Sequence, residues 1–284
     1  MRRLTCLLLA ALLTACTPKP QAADPAIWEV KGPAGQHGWL FGTIHALERP
    51  ALWRTDAVDR ALDQSDAVMV EIADLDHGTA QAFARLSRTP GQPSLSSRVS
   101  PQLRGKLAKL LAEGGFRESR FDAVETWAAA LMLARAEDGE MKSVYGIDRA
   151  VLKAAQGKRV IELEGASGQL SLFDSLPERE QRDLLDAVVA DSGSLQGESP
   201  GLADAWLKGD MARIEAETTR GLLADPELRA VIFTGRNRDW SDRLARLMEQ
   251  GAHPFVAVGS AHMAGPEGLP VLLAQKGYTV TRIR

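Results

Sequence analysis

Residues 38–45 read Gly-Trp-Leu-Phe-Gly-Thr-Ile-His, an apolar run that continues through a glycine to a histidine. The run predicts a short strand, because its apolar and aromatic residues follow one another without a helical spacing. Gly42 allows the backbone to turn there or to approach a ligand closely. His45 is therefore expected at the carboxyl end of a strand, the edge at which open α/β sheets place their ligands.

The same pattern recurs near the other end of the chain. Residues 256–262 read Val-Ala-Val-Gly-Ser-Ala-His, so a second G-x-x-H follows a second apolar strand and ends at His262. One G-x-x-H carries no information as a motif, but two of them, each directly behind an apolar strand, are more specific. Spacing alone leaves two interpretations open: one shared site, or two unrelated strand-end loops.

Carboxylates end other predicted strands. Glu71 directly follows the apolar residues 67–70, and Glu164 lies just beyond the predicted strand at residues 159–161. A charged residue at the end of a buried run is either solvated at the surface or paired in a cleft. Carboxylates and imidazoles that end neighbouring strands on one side of a sheet could bind a divalent metal or act as general acid and base. We therefore expect His45, Glu71 and His262 to converge, with both histidines in exposed loops.

The order of the elements predicts an α/β (or α+β) fold, with a central sheet of mixed strands covered by helices and a helical middle segment. Strands are predicted at residues 27–30 and 38–41, joined as a hairpin, and at residues 67–70, 159–161, 255–258 and 278–283. Helices are predicted at residues 55–64, 101–113, 121–137, 148–156, 202–223 and 226–249, with two more starting near Ser175 and Gly265. Ser175 and Pro177 are typical of a helix start, as are Gly265 and Pro266, and residues 193–201 are typical of a loop.

The first residues are typical of an exported precursor. Two arginines precede the apolar residues 4–15, which predicts a signal peptide over residues 1–15 that is too short to span a bilayer. Residues 13–16, Leu-Thr-Ala-Cys, resemble the bacterial lipobox, so Cys16 is expected to carry the lipid. An ordinary signal peptide with an incidental cysteine is the alternative. Residues 16–26 are then predicted to form a tether and residues 27–284 a single domain.

Lipidation predicts a location in the bacterial cell envelope, anchored to a membrane through Cys16. An aspartate directly after the lipidated cysteine often retains such proteins at the inner membrane. Thr17 occupies that position here, which favours the outer membrane, facing the periplasm. Cys6 and Cys16 are the only cysteines, so the processed chain has none left for a disulfide, a thiolate metal site or a cysteine nucleophile. The net charge of −3, without a block of Lys or Arg, argues against nucleic acid as a partner.

Several motifs, taken together and in order, resemble the successive signatures of the TraB/GumN family. They cover nearly the whole chain behind the signal peptide and lie at residues 40–45, 70–72, 127–133, 146–148, 163–164, 236–237 and 258–263. The family includes the Tiki proteins, which are metal-dependent proteases acting on Wnt, and conjugation proteins that restrain peptide pheromones. Its fold is similar to that of the erythromycin esterase and ChaN-like group.

The resemblance implies roles for particular residues. His45, Glu71 and His262 are implied as ligands of a divalent ion, for example one of the manganese type. Glu71, Glu164, Arg236 and Asn237 are implied as catalytic candidates. In this scheme a carboxylate assists the attacking water, while Arg236 or Asn237 steadies the developing oxyanion. Without the resemblance, Arg236 could equally be a solvated charge on a helix face.

Other polar residues fit the site less well. His37 and His253 are expected in turns, and His77 in a polar loop close behind Glu71. Ser260 does not lie in a G-x-S-x-G elbow, which argues against a serine hydrolase. Asp148 is interpreted as a helix cap rather than a metal ligand.

Two functions from different classes therefore remain open. The first is a metal-dependent hydrolase of the cell envelope, peptidase-like, acting on peptides or small molecules. The second is a non-catalytic lipoprotein that sequesters a peptide or small ligand in the same cleft. The residues alone do not separate them, because both kinds of site use the same side chains.

Overall fold

The structure, a computed structural model, describes residues 18–136, 141–190 and 200–284. The predicted signal peptide, Cys16 and most of the predicted loop at 193–201 lie outside the described residues.

Among the described residues, no helix combines the length and the apolar character needed to cross a membrane.

A mixed sheet forms the centre of the described chain, and the predicted α/β class is confirmed. The strands are Gln21–Ala22 (β1), Ile27–Lys31 (β2), His37–Thr43 (β3), Ala51–Leu52 (β4), Ala67–Val70 (β5), Arg159–Glu162 (β6), Pro254–Gly259 (β7) and Thr279–Ile283 (β8). Within the described residues, six of them form one sheet in the order β6-β5-β7-β3-β2-β8. Neighbours from β6 to β3 are parallel, whereas β2 is antiparallel to both β3 and β8. The predicted hairpin of β2 and β3 is confirmed.

Helices cover the sheet and fill the middle of the chain. They are Asp56–Gln64 (α1), His77–Leu86 (α2), Leu95–Arg98 (α3), Arg104–Glu113 (α4), Thr126–Ala136 (α5), Ile147–Ala154 (α6), Gly165–Asp174 (α7), Glu178–Ala190 (α8), Pro200–Leu207 (α9), Met211–Glu217 (α10), Pro226–Arg229 (α11), Gly235–Glu249 (α12) and Leu269–Gln275 (α13). Short 3-10 turns lie at Pro101–Leu103, Glu118–Phe121, Ser143–Tyr145, Gly221–Ala224 and Ser260–Met263, and a π-helical turn lies at Ala230–Thr234.

The central strands are buried on both faces. Successive side chains of a strand point to opposite sides, and helices cover both sides. Phe41 and Val68 pack with α1 and α6 on one face. Leu40 and Met69 pack with α12 and α13 on the other. This explains why the strands appear in the sequence as continuous apolar runs rather than alternating ones.

A separate apolar cluster holds the middle helices together. It is built from α4, α5, α7 and α8 around the fully buried Trp127. The cluster packs beside the sheet, and α5 and α7 turn one side toward the carboxyl ends of the parallel strands.

The predicted single helix over residues 202–223 is wrong. The chain instead forms α9 and α10, followed by a 3-10 turn at Gly221–Ala224. Gly209 adopts a φ of +60° between the two helices, a left-handed conformation that only glycine reaches without strain. The remaining helix predictions in this part of the chain are met by α11 and α12, which are joined through the π-helical turn.

Two predicted helix starts are also wrong. Ser175 ends α7, its hydroxyl donating to the Leu172 carbonyl, instead of capping the next helix. The helix expected at Gly265 begins only at Leu269, with Pro270 in its first turn. In each case a short turn separates the predicted start from the helix, and a proline in the first turn of a helix does not by itself fix the residue at which the helix begins.

Part of the predicted tether contacts the domain. Residues 21–22 pair with residues 51–52 as β1 and β4, and the Asp24 N–H donates to the Leu207 carbonyl at 2.8 Å. Ala26 is buried against the sheet. Apolar side chains and satisfied backbone groups therefore fix residues 21–26 to the domain.

Candidate functional site

The two G-x-x-H motifs lie side by side, because β3 and β7 are adjacent and parallel. Thr43 pairs with Gly259, and on the other side of β7, Val70 pairs with Ala257. The three strands therefore end at one edge, and His45, Glu71 and His262 line a single cavity of about 280 Å³. The predicted convergence is confirmed, although 217 positions (262 − 45) separate the two histidines.

Gly259 provides the space in which these side chains meet. A Cβ atom at this position would lie 3.4 Å from Glu71 Oε1, 3.6 Å from His45 Nε2 and 3.7 Å from His262 Cδ2. All three groups thus surround one point at the end of β7. A side chain there would fill the inner end of the cavity.

His262 is buried, which corrects the expectation of an exposed loop residue. Its ring lies between Phe233 and Trp240, at centroid distances of 5.3 and 4.6 Å. Arg236 Nη1 donates to its Nε2 at 3.2 Å, so the proton of the neutral ring lies on Nδ1, 2.6 Å from Asn237 Oδ1. Burial, reinforced by the charge of Arg236, lowers the pKa of His262 from 6.5 to about 3.

Arg236 is the centre of the buried charge network. Its Nη2 lies 2.6 Å from Glu71, its Nε lies 2.8 Å from Glu164, and the ring of Trp240 lies under the guanidinium at 4.6 Å. Its remaining donors bond the Ile232 carbonyl, His262 and the second oxygen of Glu164. Since a guanidinium has five N–H donors, this arrangement leaves none for the oxyanion contact implied by the resemblance.

Glu71 is held as an ionised carboxylate. It accepts from the Gly259 N–H at 2.8 Å, from Gln169 at 2.9 Å and from Arg236. Burial is the largest influence and alone would raise its pKa, but the charge of Arg236 and the other contacts together outweigh burial and bring the pKa to about 2. Glu71 is thus negatively charged throughout the physiological pH range.

Asp148 belongs to the site, although the sequence interpretation made it a helix cap. Gly146 is the N-cap of α6, and Asp148 follows in the first turn. Its carboxylate accepts from Thr43 Oγ1 at 2.5 Å and lies 2.7 Å from His45 Nδ1. A proton on Nδ1 makes Nε2 the basic nitrogen of the neutral His45 ring. In the sequence, the motif at residues 146–148 was the only pointer to Asp148. It does not predict the contact with His45, because 103 positions separate the two residues.

The remaining predicted residues do not line the cavity. Asn237 is fully buried and joins His262 to the Glu267 carbonyl, so it positions the imidazole instead of facing a substrate. Glu164 lies behind Arg236 and also accepts from Trp240 at 3.1 Å. The other three histidines lie elsewhere in the described chain: His37 on β3, His77 at the start of α2 and His253 beside Asp66.

The donor set does not fit a divalent ion held jointly by His45, Glu71 and His262. The Nε2 lone pair of His262 accepts from Arg236, and the guanidinium brings a positive charge to within 3.2 Å of that nitrogen. In the described residues, no group of three or more His, Cys, Asp or Glu side chains has an arrangement suited to a metal. An ion at this place would require Arg236 to move away from both His262 and Glu71.

The low pKa of His262 predicts a pH dependence of folding stability. Between pH 6.5 and about 3 the unfolded chain binds a proton at this residue and the folded chain does not. Stability is therefore lost as the pH falls through this window, by about 2 kcal/mol between pH 7 and pH 5. Urea unfolding at both pH values should show this loss in the parent and a correspondingly smaller loss in His262→Gln.

The control for this measurement is His253→Gln, which alters an exposed histidine beside Asp66. It should retain the loss of the parent. An equal loss in His262→Gln and the parent would contradict a neutral, buried His262.

Fold and site together define an α/β protein with a buried His, Glu and Arg centre at the carboxyl edge of its parallel strands. The chain belongs to the TraB/PrgY/gumN family, whose sequence pattern it matches over residues 26–282. It is 30% identical over 253 residues to uncharacterized YbaP proteins of Shigella flexneri and Escherichia coli. The aligned residues cover 88% of this chain and 92% of each relative. An uncharacterized protein of Treponema pallidum is 24% identical over 292 residues, covering 93% of this chain and 86% of the relative. No solved structure matches the chain.

Proposed function

We propose that the protein is a hydrolase of the bacterial cell envelope, peptidase-like. His45 takes a proton from the attacking water as its oxygen bonds the carbonyl carbon, and returns that proton to the leaving amine as the C–N bond breaks. The observation that carries this proposal is the 2.7 Å contact between His45 Nδ1 and Asp148, since His45 lines a cavity that Arg236 also lines. A carboxylate on one ring nitrogen fixes the tautomer and makes the other nitrogen a base.

His45 suits the role of base better than the other titratable groups. A general base works best when its pKa lies near the operating pH. Glu71, with a pKa of about 2, and His262, with a pKa of about 3, are both too weakly basic. The side chain of His45 is 63% exposed, so water reaches it directly.

The buried network contributes electrostatics and shape. Arg236 lines the cavity, but its N–H groups are already bonded and its charge is offset by Glu71 and Glu164, so it orders the site and does not contact the oxyanion. Glu71 and Glu164 hold the guanidinium in place from two sides. Each residue thus positions the next, so these side chains need little rearrangement during the reaction.

The proposal is tested by turnover. The full-length protein, purified in detergent, is incubated with a mixed peptide pool, and mass spectrometry detects new chain termini. New termini support the hydrolase. Peptide binding without new termini would instead support the sequestering lipoprotein.

The same assay addresses the divalent ion. Because Arg236 donates to His262 Nε2, the reaction proposed here proceeds without an ion at this centre. Parallel incubations with manganese and with a chelator compare the two cases. Turnover that appears only with manganese would mean that Arg236 is displaced and that the ligand set implied by the family resemblance forms.

We also propose that the protein is anchored in the envelope through a lipid on Cys16, in the outer membrane. Cys16→Ser should yield unprocessed precursor without lipid, because the modified thiol is absent. Metabolic labelling with a fatty acid and membrane fractionation measure both properties. Cys6→Ser, which removes the cysteine inside the signal peptide, is the matched control and should be processed like the parent. Normal labelling of Cys16→Ser would contradict the anchor.

A further inference from the structure

The cavity that holds His45 has two unlike walls. One is the charged and polar network described above. The other is made of aliphatic and aromatic side chains from the middle helices and the π-helical turn: Leu131, Leu170, Leu172, Phe173 and Ile232. Leu131, Leu172 and Phe173 are only partly buried, so apolar surface is left open toward the cavity.

The apolar wall is held firmly by its surroundings. Phe173 stacks on Trp127 with the ring planes 17° apart, and Trp127 is completely buried. Ile232 is buried at the other end of the wall, where its carbonyl accepts from Arg236 at 3.1 Å. The Ile232 carbonyl therefore links the apolar wall to Arg236 of the charged centre.

Charge further restricts what can enter. Glu71, Glu164 and Asp148 carry three negative charges and Arg236 one positive charge, a formal sum of −2 when both imidazoles are neutral. An acidic group would be repelled by this sum and would lose its hydration against the apolar wall. The volume of about 280 Å³ suits one side chain together with the reacting group.

We propose that the wall formed by Leu131, Leu172, Phe173 and Ile232 is the specificity pocket of this site. It takes an uncharged apolar side chain of leucine or phenylalanine size, next to the carbonyl that is hydrolysed, and rejects acidic side chains. This inference rests on the proposed hydrolase and names its substrate class.

The test uses blocked hexapeptides that differ at one central residue, which is Leu, Phe, Ala or Asp. The full-length protein in detergent should cleave the Leu and Phe peptides beside that residue at least about tenfold faster, in kcat/KM, than the Ala peptide. The Asp peptide should be cleaved slowest. Equal rates for all four peptides would overturn the specificity pocket.

Leu172→Trp narrows the pocket and provides the decisive variant. Leu172 is half-buried, so the change should leave the fold intact. The preference for the Leu and Phe peptides over the Ala peptide, measured as the ratio of their kcat/KM values, should fall by about tenfold. Val271→Trp is the control, since Val271 is an exposed residue of α13 outside the cavity and its variant should behave like the parent. An unchanged profile in Leu172→Trp would also overturn the proposal.

Binding separates this inference from the proposed function. Calorimetry with the His45→Ala variant measures the affinity for the Leu and Asp peptides without turnover. The parent could fail to cleave any peptide while binding still favours the Leu peptide and Leu172→Trp removes that preference. This result would overturn the proposed hydrolase but support the specificity pocket. Neither cleavage nor binding would overturn both.

Discussion

His45→Ala should reduce peptide turnover by about 10²- to 10⁴-fold, the usual contribution of a general base. Folding stability should stay close to that of the parent, because the side chain is 63% exposed and contributes no core packing. Steady-state kinetics gives the first quantity and urea unfolding the second. A loss of stability comparable to that of a core substitution would mean that the residue acts structurally.

Asp148→Asn tests how His45 is positioned. The amide keeps the size of the carboxylate, but it can present its NH₂ group to Nδ1, which favours the wrong tautomer of the ring. Turnover should again fall by orders of magnitude, and the pH profile of kcat/KM should shift. A purely structural role for Asp148 would lower stability without moving that profile.

A second His–Asp pair provides a matched control. His253 Nδ1 lies 3.1 Å from Asp66 at the opposite, amino-terminal end of β5 and β7, and both side chains are about half exposed. His253→Ala removes an imidazole of similar exposure with a similar partner. It should leave kcat and KM unchanged. Equal losses in His253→Ala and His45→Ala would show that the assay reports stability and not catalysis.

The convergence of the two histidines could be predicted from the sequence. Each follows a continuous apolar run, and such runs form neighbouring buried strands whose carboxyl ends meet at one edge. The prediction needed only the local pattern of residues 38–45 and 256–262 and a general rule of sheets. Glu71 followed from the same reasoning, because it ends β5 on the other side of β7.

The environment of each histidine could not be predicted. His262 is buried because Phe233 and Trp240, from other elements, enclose its ring. Asp148 reaches His45 from a helix that is remote in sequence. Contacts of this kind depend on how helices dock against the sheet, and neither hydrophobic spacing nor capping rules specify docking.

The π-helical turn at Ala230–Thr234 illustrates the same limit. Residues 226–249 have a helical spacing throughout, and the widened turn leaves no mark in that pattern. Yet the turn determines the direction in which the following residues point. It brings the Ile232 carbonyl to Arg236 and the ring of Phe233 to His262.

Arg236→Met should have the largest effect on stability. It leaves Glu71 and Glu164 without their shared cation in a buried site, and breaking a buried ion pair from one side costs about 3–5 kcal/mol. Urea or thermal unfolding near neutral pH measures this loss. Arg213→Met removes an arginine that pairs with Asp204 at the surface and should cost less than about 1 kcal/mol.

The pH dependence identifies the cause of that loss. In the parent, the pKa of Glu71 lies at about 2, below its ordinary 4.5, so its stabilising contribution is complete above pH 4.5 and is lost as the pH falls toward 2. In Arg236→Met burial raises this pKa, so the carboxylate destabilises the fold at neutral pH and less so as acid protonates it. Adding Glu71→Gln to Arg236→Met should therefore recover part of the lost stability near pH 7, because a neutral amide replaces an unpaired charge. No recovery in the double variant would mean that Arg236 stabilises the fold by packing against Trp240 and not by pairing with Glu71.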